Sequence, residues 1–68
     1  MSVYKVIEIV GTSTVSWEDA AAKAVERAGK TLEDLRIGEV ISQDVTIDKG
    51  LVTSYRTKLS VSFKFKEG

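Results

Sequence analysis

The chain has 68 residues, 43% hydrophobic and 29% charged, with ten Lys and Arg balanced by ten Asp and Glu. That composition fits one small globular domain over residues 1–68 rather than a disordered tail, and no window approaches the roughly 18 apolar residues a membrane span requires. The absence of Cys and His removes disulfides, thiolate chemistry and nearly every zinc site, leaving oligomerisation as the extra source of burial that small domains often need.

The first element is VYKVIEIV, Val3 to Val10, a β-branched run that reads as a strand, apolar on both faces and ending at Gly11. The opening MSVYKV turns to alternation without a basic segment and apolar core, so the expected compartment is the cytoplasm. A small polar loop, GTSTVS, leads to Ser16, which can N-cap a helix with Asp19 three residues on as a weak capping box. Trp17, Ala20, Ala21, Ala24, Val25 and Ala28 recur at helical spacing and face a core, with Trp17 as its anchor. Glu18, Asp19, Lys23, Glu26 and Arg27 line the outside. Asp19 with Lys23 and Glu26 with Lys30 are favourable pairs four apart, and Gly29 is the expected left-handed stop.

After KTLEDL, where Thr31 can cap one further turn, RIGEVISQDVTID (Arg36 to Asp48) alternates as a second strand with Ile37, Ile41, Val45 and Ile47 on one parity. Asp48-Lys49-Gly50 fits a three-residue hairpin loop, which would set Ile47 opposite Leu51 and Val45 opposite Thr53. The last strand is LVTSYRTKLSVSFKFK, residues 51 to 66. Fully extended it is about 50 Å long, whereas a compact chain of this length has a radius of gyration of about 11 Å. The expected class is α+β, a β-α-β-β chain whose three-stranded antiparallel sheet wraps around one helix. One helix covers the middle of that sheet but not the ends of its longest strand, so other copies of the chain are expected to cover the rest.

The residues offer little to catalysis: without His or Cys, and with no Ser beside an identifiable base, no enzyme is expected. GTSTVS lies where a helix N-terminus attracts anions, but it lacks the lysine of a phosphate loop and reads as a capping loop. Tyr4 and Tyr55 fit buried strand positions. Arg56, Lys58, Lys64 and Lys66 form a basic stripe, yet a net charge of zero and the lack of interleaved aromatics argue against nucleic acid. The carboxylates to examine for a metal are Asp44, Glu39 and Asp48. Calcium takes six to eight oxygens, more than one strand supplies, so a symmetry axis would have to repeat them.

VYKVIEIVGTS running into a capped Ala-rich helix, LEDLRIGEV entering the second strand and SYRTKLSVSFKF in the last together resemble the dodecin family over essentially the whole chain. The resemblance implies a hollow homododecameric shell of β-α-β-β subunits that stores small ligands. Flavin (riboflavin or FMN) would bind in pairs near two-fold axes, each ring stacked on a Trp at the start of the second strand and hydrogen-bonded by a Gln on the third. Coenzyme A is also associated with the family. Here Ile37 stands at the position matching the Trp and Arg56 at that matching the Gln. Stacking a flat heterocycle on an aromatic side chain is worth about 1 to 3 kcal/mol, so its loss weakens flavin binding by roughly one to two orders of magnitude. Arg56 is a donor only and suits an anion or carboxylate. SWEDAA, RIGEV, SQDV and KLSVSFK are more similar to a branch of the family that lacks the Trp and is associated with calcium, which makes Asp44 and then Glu39 the metal candidates. The simple hairpin register sets Ile37 and Arg56 on opposite faces. Either a bulge shifts that register, or a pocket joins residues from different subunits.

Overall fold

The computed structural model describes residues 3–64, so Phe65 and Lys66 of the expected last strand lie outside the described residues. Its elements are β1 (Tyr4–Ser13), α1 (Trp17–Gly29), β2 (Leu35–Asp48) and β3 (Leu51–Lys64). They form the expected β-α-β-β chain with one antiparallel sheet in the order β1-β3-β2. The last strand is therefore central, and both β1 and β2 are edges.

Gly11 does not end β1, which runs on to Ser13. A Cβ at Gly11 would overlap the carbonyl oxygen of Ala20 and fall 2.9 Å from Ala24 Cβ. The glycine lets α1 press its backbone against the strand, a role for which only a residue without a side chain serves. Ser16 caps α1 as expected, its Oγ accepting from Asp19 N at 3.0 Å. Buried Ser13 ties the same turn to β1: its Oγ donates to Asp19 Oδ2 at 2.6 Å and accepts from Val15 N at 2.9 Å. Gly29 is not the left-handed stop. Lys30 leaves the helix with φ −74°, and a further turn brings Leu32 N to Ala28 O at 2.9 Å. The reversal waits for Asp34, at φ 61°, because the extra turn satisfies carbonyls that a glycine stop would otherwise serve. Asp tolerates that conformation better than most residues.

The hairpin also departs from expectation. Asp48 pairs with Leu51 across a two-residue turn, Lys49 at φ 51° and Gly50 at φ 78°, the mirror-image geometry whose twist matches flanking strands. Ile47 consequently faces Val52 and Val45 faces Tyr55. Three register shifts interrupt the β2–β3 pairing, leaving Arg36 and Ile41 as extra residues in β2 and Thr53 in β3. Each inserted residue resets the alternation. The apolar set of β2 is thereby split: Leu35, Val40 and Val45 align with Phe63, Leu59 and Tyr55 on the helix side, while Ile37 aligns with Ser62 on the other.

The core is small. Ala20, Ala28, Leu59 and Val61 are its buried apolar residues, joined by fully buried Thr57, whose hydroxyl donates to Trp17 O at 2.9 Å. The helix lies on β1 and β3 and barely touches β2. Trp17, expected as the core anchor, is half-buried: its ring stands edge-on to Tyr55 with centroids 5.2 Å apart, and Nε1 donates to Asp44 O at 3.0 Å. It sits at the end of the helix, where the sheet has already outrun its cover. Tyr4, expected inside, is exposed because it falls on the face away from α1, and Tyr55 is half-buried. The subunit measures 50 × 20 × 15 Å with a radius of gyration of 14.0 Å, well beyond the roughly 11 Å of a compact chain. Beyond the helix the hairpin carries Ile47 at 66% exposure and Leu51 at 70%. Among the described residues, no helix is long and apolar enough to cross a membrane.

Candidate functional site

The face of the sheet turned away from α1 holds most of the chemistry-bearing residues. Its pairing sets them in rows across β1, β3 and β2: Val6, Ser62 and Ile37; then Glu8, Ser60 and Glu39; then Val10, Lys58 and Ser42; then Thr12, Arg56 and Asp44. Strand alternation puts these side chains on one face at intervals of about 7 Å along the strands. The bulge residue Ile41 brings Ile37 and Glu39 onto the face of Ser42 and Asp44, because without that insertion the residues of β2 before it would point to the other side.

Arg56 and Asp44 form the strongest contact on this face. The guanidinium donates through Nε to Oδ1 at 2.7 Å and through Nη2 to Oδ2 at 2.8 Å, the two-pronged geometry in which a planar fork matches a carboxylate. This hydrogen bonding, reinforced by charge, holds the Asp44 carboxyl below its ordinary range and raises Arg56 above its own. Both side chains remain about half exposed. Lys58 Nζ reaches Glu8 Oε1 at 3.3 Å. Of the four residues of the basic stripe, two are thus paired on their own sheet, Lys64 is exposed, and Lys66 lies outside the described residues.

Each residue singled out from the sequence can now be placed. Ile37 and Arg56 share this face, since the bulges shift the register, but Ser62, the partner of Ile37, stands six positions from Arg56 on β3, about 20 Å. One subunit does not bring them together. Ile37 is 68% exposed and presents an aliphatic surface with no π face. Asp44 has both oxygens engaged by Arg56, whereas Glu39 is exposed beside Ser60 with Glu8 two strands away, about 10 Å. Asp48 borders the hairpin turn, far from both. Among the described residues no three carboxylates gather where they could hold a metal ion. Among the partnerships that escaped the sequence reading are Arg56 with Asp44 and Trp17 with the Asp44 backbone. Only the shifted register makes the first, and a contact 27 residues apart makes the second.

Comparison with known proteins agrees with this architecture. The family model described as Dodecin matches residues 3–66. The chain is 54% identical over 66 residues to calcium dodecin of Mycobacterium tuberculosis, covering 97% of this chain and 93% of that one. It is 42% identical over 65 residues to dodecin of Thermus thermophilus, covering 96% and 94%. The crystal structure of the Mycobacterium tuberculosis protein, a calcium-chelating antigen with a calcium-binding site, superposes with a TM-score of 0.85 at 53% identity, covering 98% and 96%. Dodecin from Streptomyces coelicolor gives 0.93 at 34% identity over the same shares. The subunit's shape follows the whole group, while its sequence is more similar to the calcium-named relative than to these others.

Proposed function

The chain belongs to the dodecin family, and on that premise we propose that it is a homododecameric binding protein, not an enzyme, that holds a small ligand where its copies meet. Calcium is the ligand we favour over flavin. The observation that carries the choice is the outward face itself. Ile37 offers no stacking surface, and Arg56 is engaged by Asp44 instead of being free to read a flavin edge. A relative 54% identical is named for calcium. Glu39, exposed and on a face that symmetry would duplicate, is the carboxylate best placed to contribute, and Asp44 would have to exchange Arg56 for the ion. The flavin reading requires Ile37 of one copy to approach Arg56 of another, with the ring unstacked. We place the protein in the cytoplasm, acting as one domain over residues 1–68.

Calorimetric titration with calcium and with riboflavin tests the choice. Calcium should give saturable heat that weakens in Glu39→Gln, and riboflavin should bind weakly until Ile37→Trp and Arg56→Gln are combined. Tight riboflavin binding by the unchanged protein, or no calcium heat at all, would overturn it. Native mass spectrometry checks the assembly independently, with one species at twelve times the 7.5 kDa chain expected.

A further inference from the structure

On the opposite side of the molecule, a groove of about 490 Å³ runs between α1 and the free edge of β1. Its floor is apolar, built from Ile7 and Ile9 of the strand and from Ala24, Ala28 and Leu32 of the helix side. The alanines keep it open, since larger residues at those two positions would fill it. Two cations stand at its rim, Lys23 and Arg27. Lys23 is held by Asp19 at 2.9 Å. Among the described residues no carboxylate pairs with Arg27, so its five donors are free for a ligand that brings its own charge.

From this charge pattern we propose that the groove is a second binding site, for a small free amphiphile with an apolar tail and a carboxylate head. The tail lies along the floor between strand and helix, and Arg27 receives the head, with Lys23 adding positive potential one helical turn away. The volume is in the lower half of the roughly 300 to 1,000 Å³ typical of small-ligand pockets. Apolar lining with one or two placed polar groups is what such pockets have in common. None of its residues belongs to the calcium or flavin positions.

The test is calorimetric titration of the assembled protein with sodium decanoate below its micelle concentration, together with methyl NMR of Ala24, Ala28 and Leu32. Saturable binding with shifts at those methyls is expected. Arg27→Gln, an exposed helix position that should not disturb folding, should weaken binding about tenfold, the scale of one charged hydrogen bond. Removing each methylene from the ligand should weaken it by up to about fourfold. Decanol binding as tightly as decanoate would overturn the proposal, because the guanidinium would then play no part. So would binding only to anionic vesicles. The absence of decanoate binding, with Arg27→Gln altering the size of the assembly, would also overturn it by assigning the groove to contact between copies.

Discussion

The part of the sheet beneath the helix and the hairpin beyond it share the central strand β3, yet they obey different rules. Under α1, β3 buries Thr57, Leu59 and Val61 in succession on alternate positions. Past Asp44 and Arg56, the same strand and its partner leave Ile47, Leu51 and Val52 more than half exposed. Backbone pairing continues to the turn in both regions. What changes is cover, since a two-stranded ribbon without a packed face is marginal in water. Pairing that persists along the arm past the inserted Thr53, together with apolar side chains left exposed on it, supports the proposal that other copies cover it.

Breaking the arm should therefore have the largest effect. Replacing Ile47 and Leu51 together by Ser removes two side chains, each worth about 1.5 to 3 kcal/mol when buried. In the proposed assembly that loss recurs in every copy. Light scattering should show dissociation while far-UV circular dichroism retains the sheet and helix signal. An undiminished assembly would mean that the arm is not the contact.

A cut in the helix-covered half should act the other way. Leu59 is 3% exposed, and Leu59→Ala should cost about 2 to 5 kcal/mol of subunit stability through lost transfer energy and the cavity left behind. Urea unfolding measures it. A loss below about 1 kcal/mol would show that the few buried residues are not the true core. At the boundary, Trp17→Phe keeps the ring against Tyr55 but deletes the donor to the Asp44 carbonyl, with an expected cost of about 1 kcal/mol. Hydrogen exchange should locate the loosening at the root of the arm rather than at the helix.

The same division explains what could be read from the sequence. Periodicity revealed three strands and a capped helix because 2.0 and 3.6 repeats are local, and the excess length of β3 over any core pointed to partner copies. Register was hidden because Arg36, Ile41 and Thr53 look like ordinary members of alternating runs, and only the pairing reveals them as insertions. A Lys-Gly turn conceals a two-residue hairpin that an Asn-Gly or Asp-Gly pair would have announced. Gly11 and Gly29 were both read as stops, yet one admits the helix and the other is simply its last residue. In the candidate site, Ile37, Arg56, Asp44 and Glu39 could be named individually. That Arg56 grips Asp44 followed from the two-residue turn and the inserted Thr53 of β3, and that Ile37 shares their face about 20 Å away followed from the inserted Ile41 of β2.

The smallest effect is also the sharpest comparison, because each region carries one depressed carboxyl. Asp19, at the helix cap, is lowered first by the hydrogen bond from Ser13 and then by Lys23. Asp44, at the root of the arm, is lowered by Arg56. A carboxyl whose folded value lies below its unfolded one, about 3.9 for Asp, contributes stability that is complete above that pH and is lost as pH falls through the folded value. Stability should thus decline as pH drops below about 4, with both groups contributing modestly because Asp44 is exposed and Asp19 about one-third exposed. NMR titration of the two carboxyl carbons separates them. Arg56→Gln should move the Asp44 midpoint up toward the ordinary value and leave Asp19 where it is. Ser13→Ala should do the reverse, since Asp19 then loses its main donor while the arm keeps its own. If Arg56→Gln moved both midpoints, the arm and the helix cap would be one cooperative unit, and the boundary drawn at Asp44 would have to be abandoned.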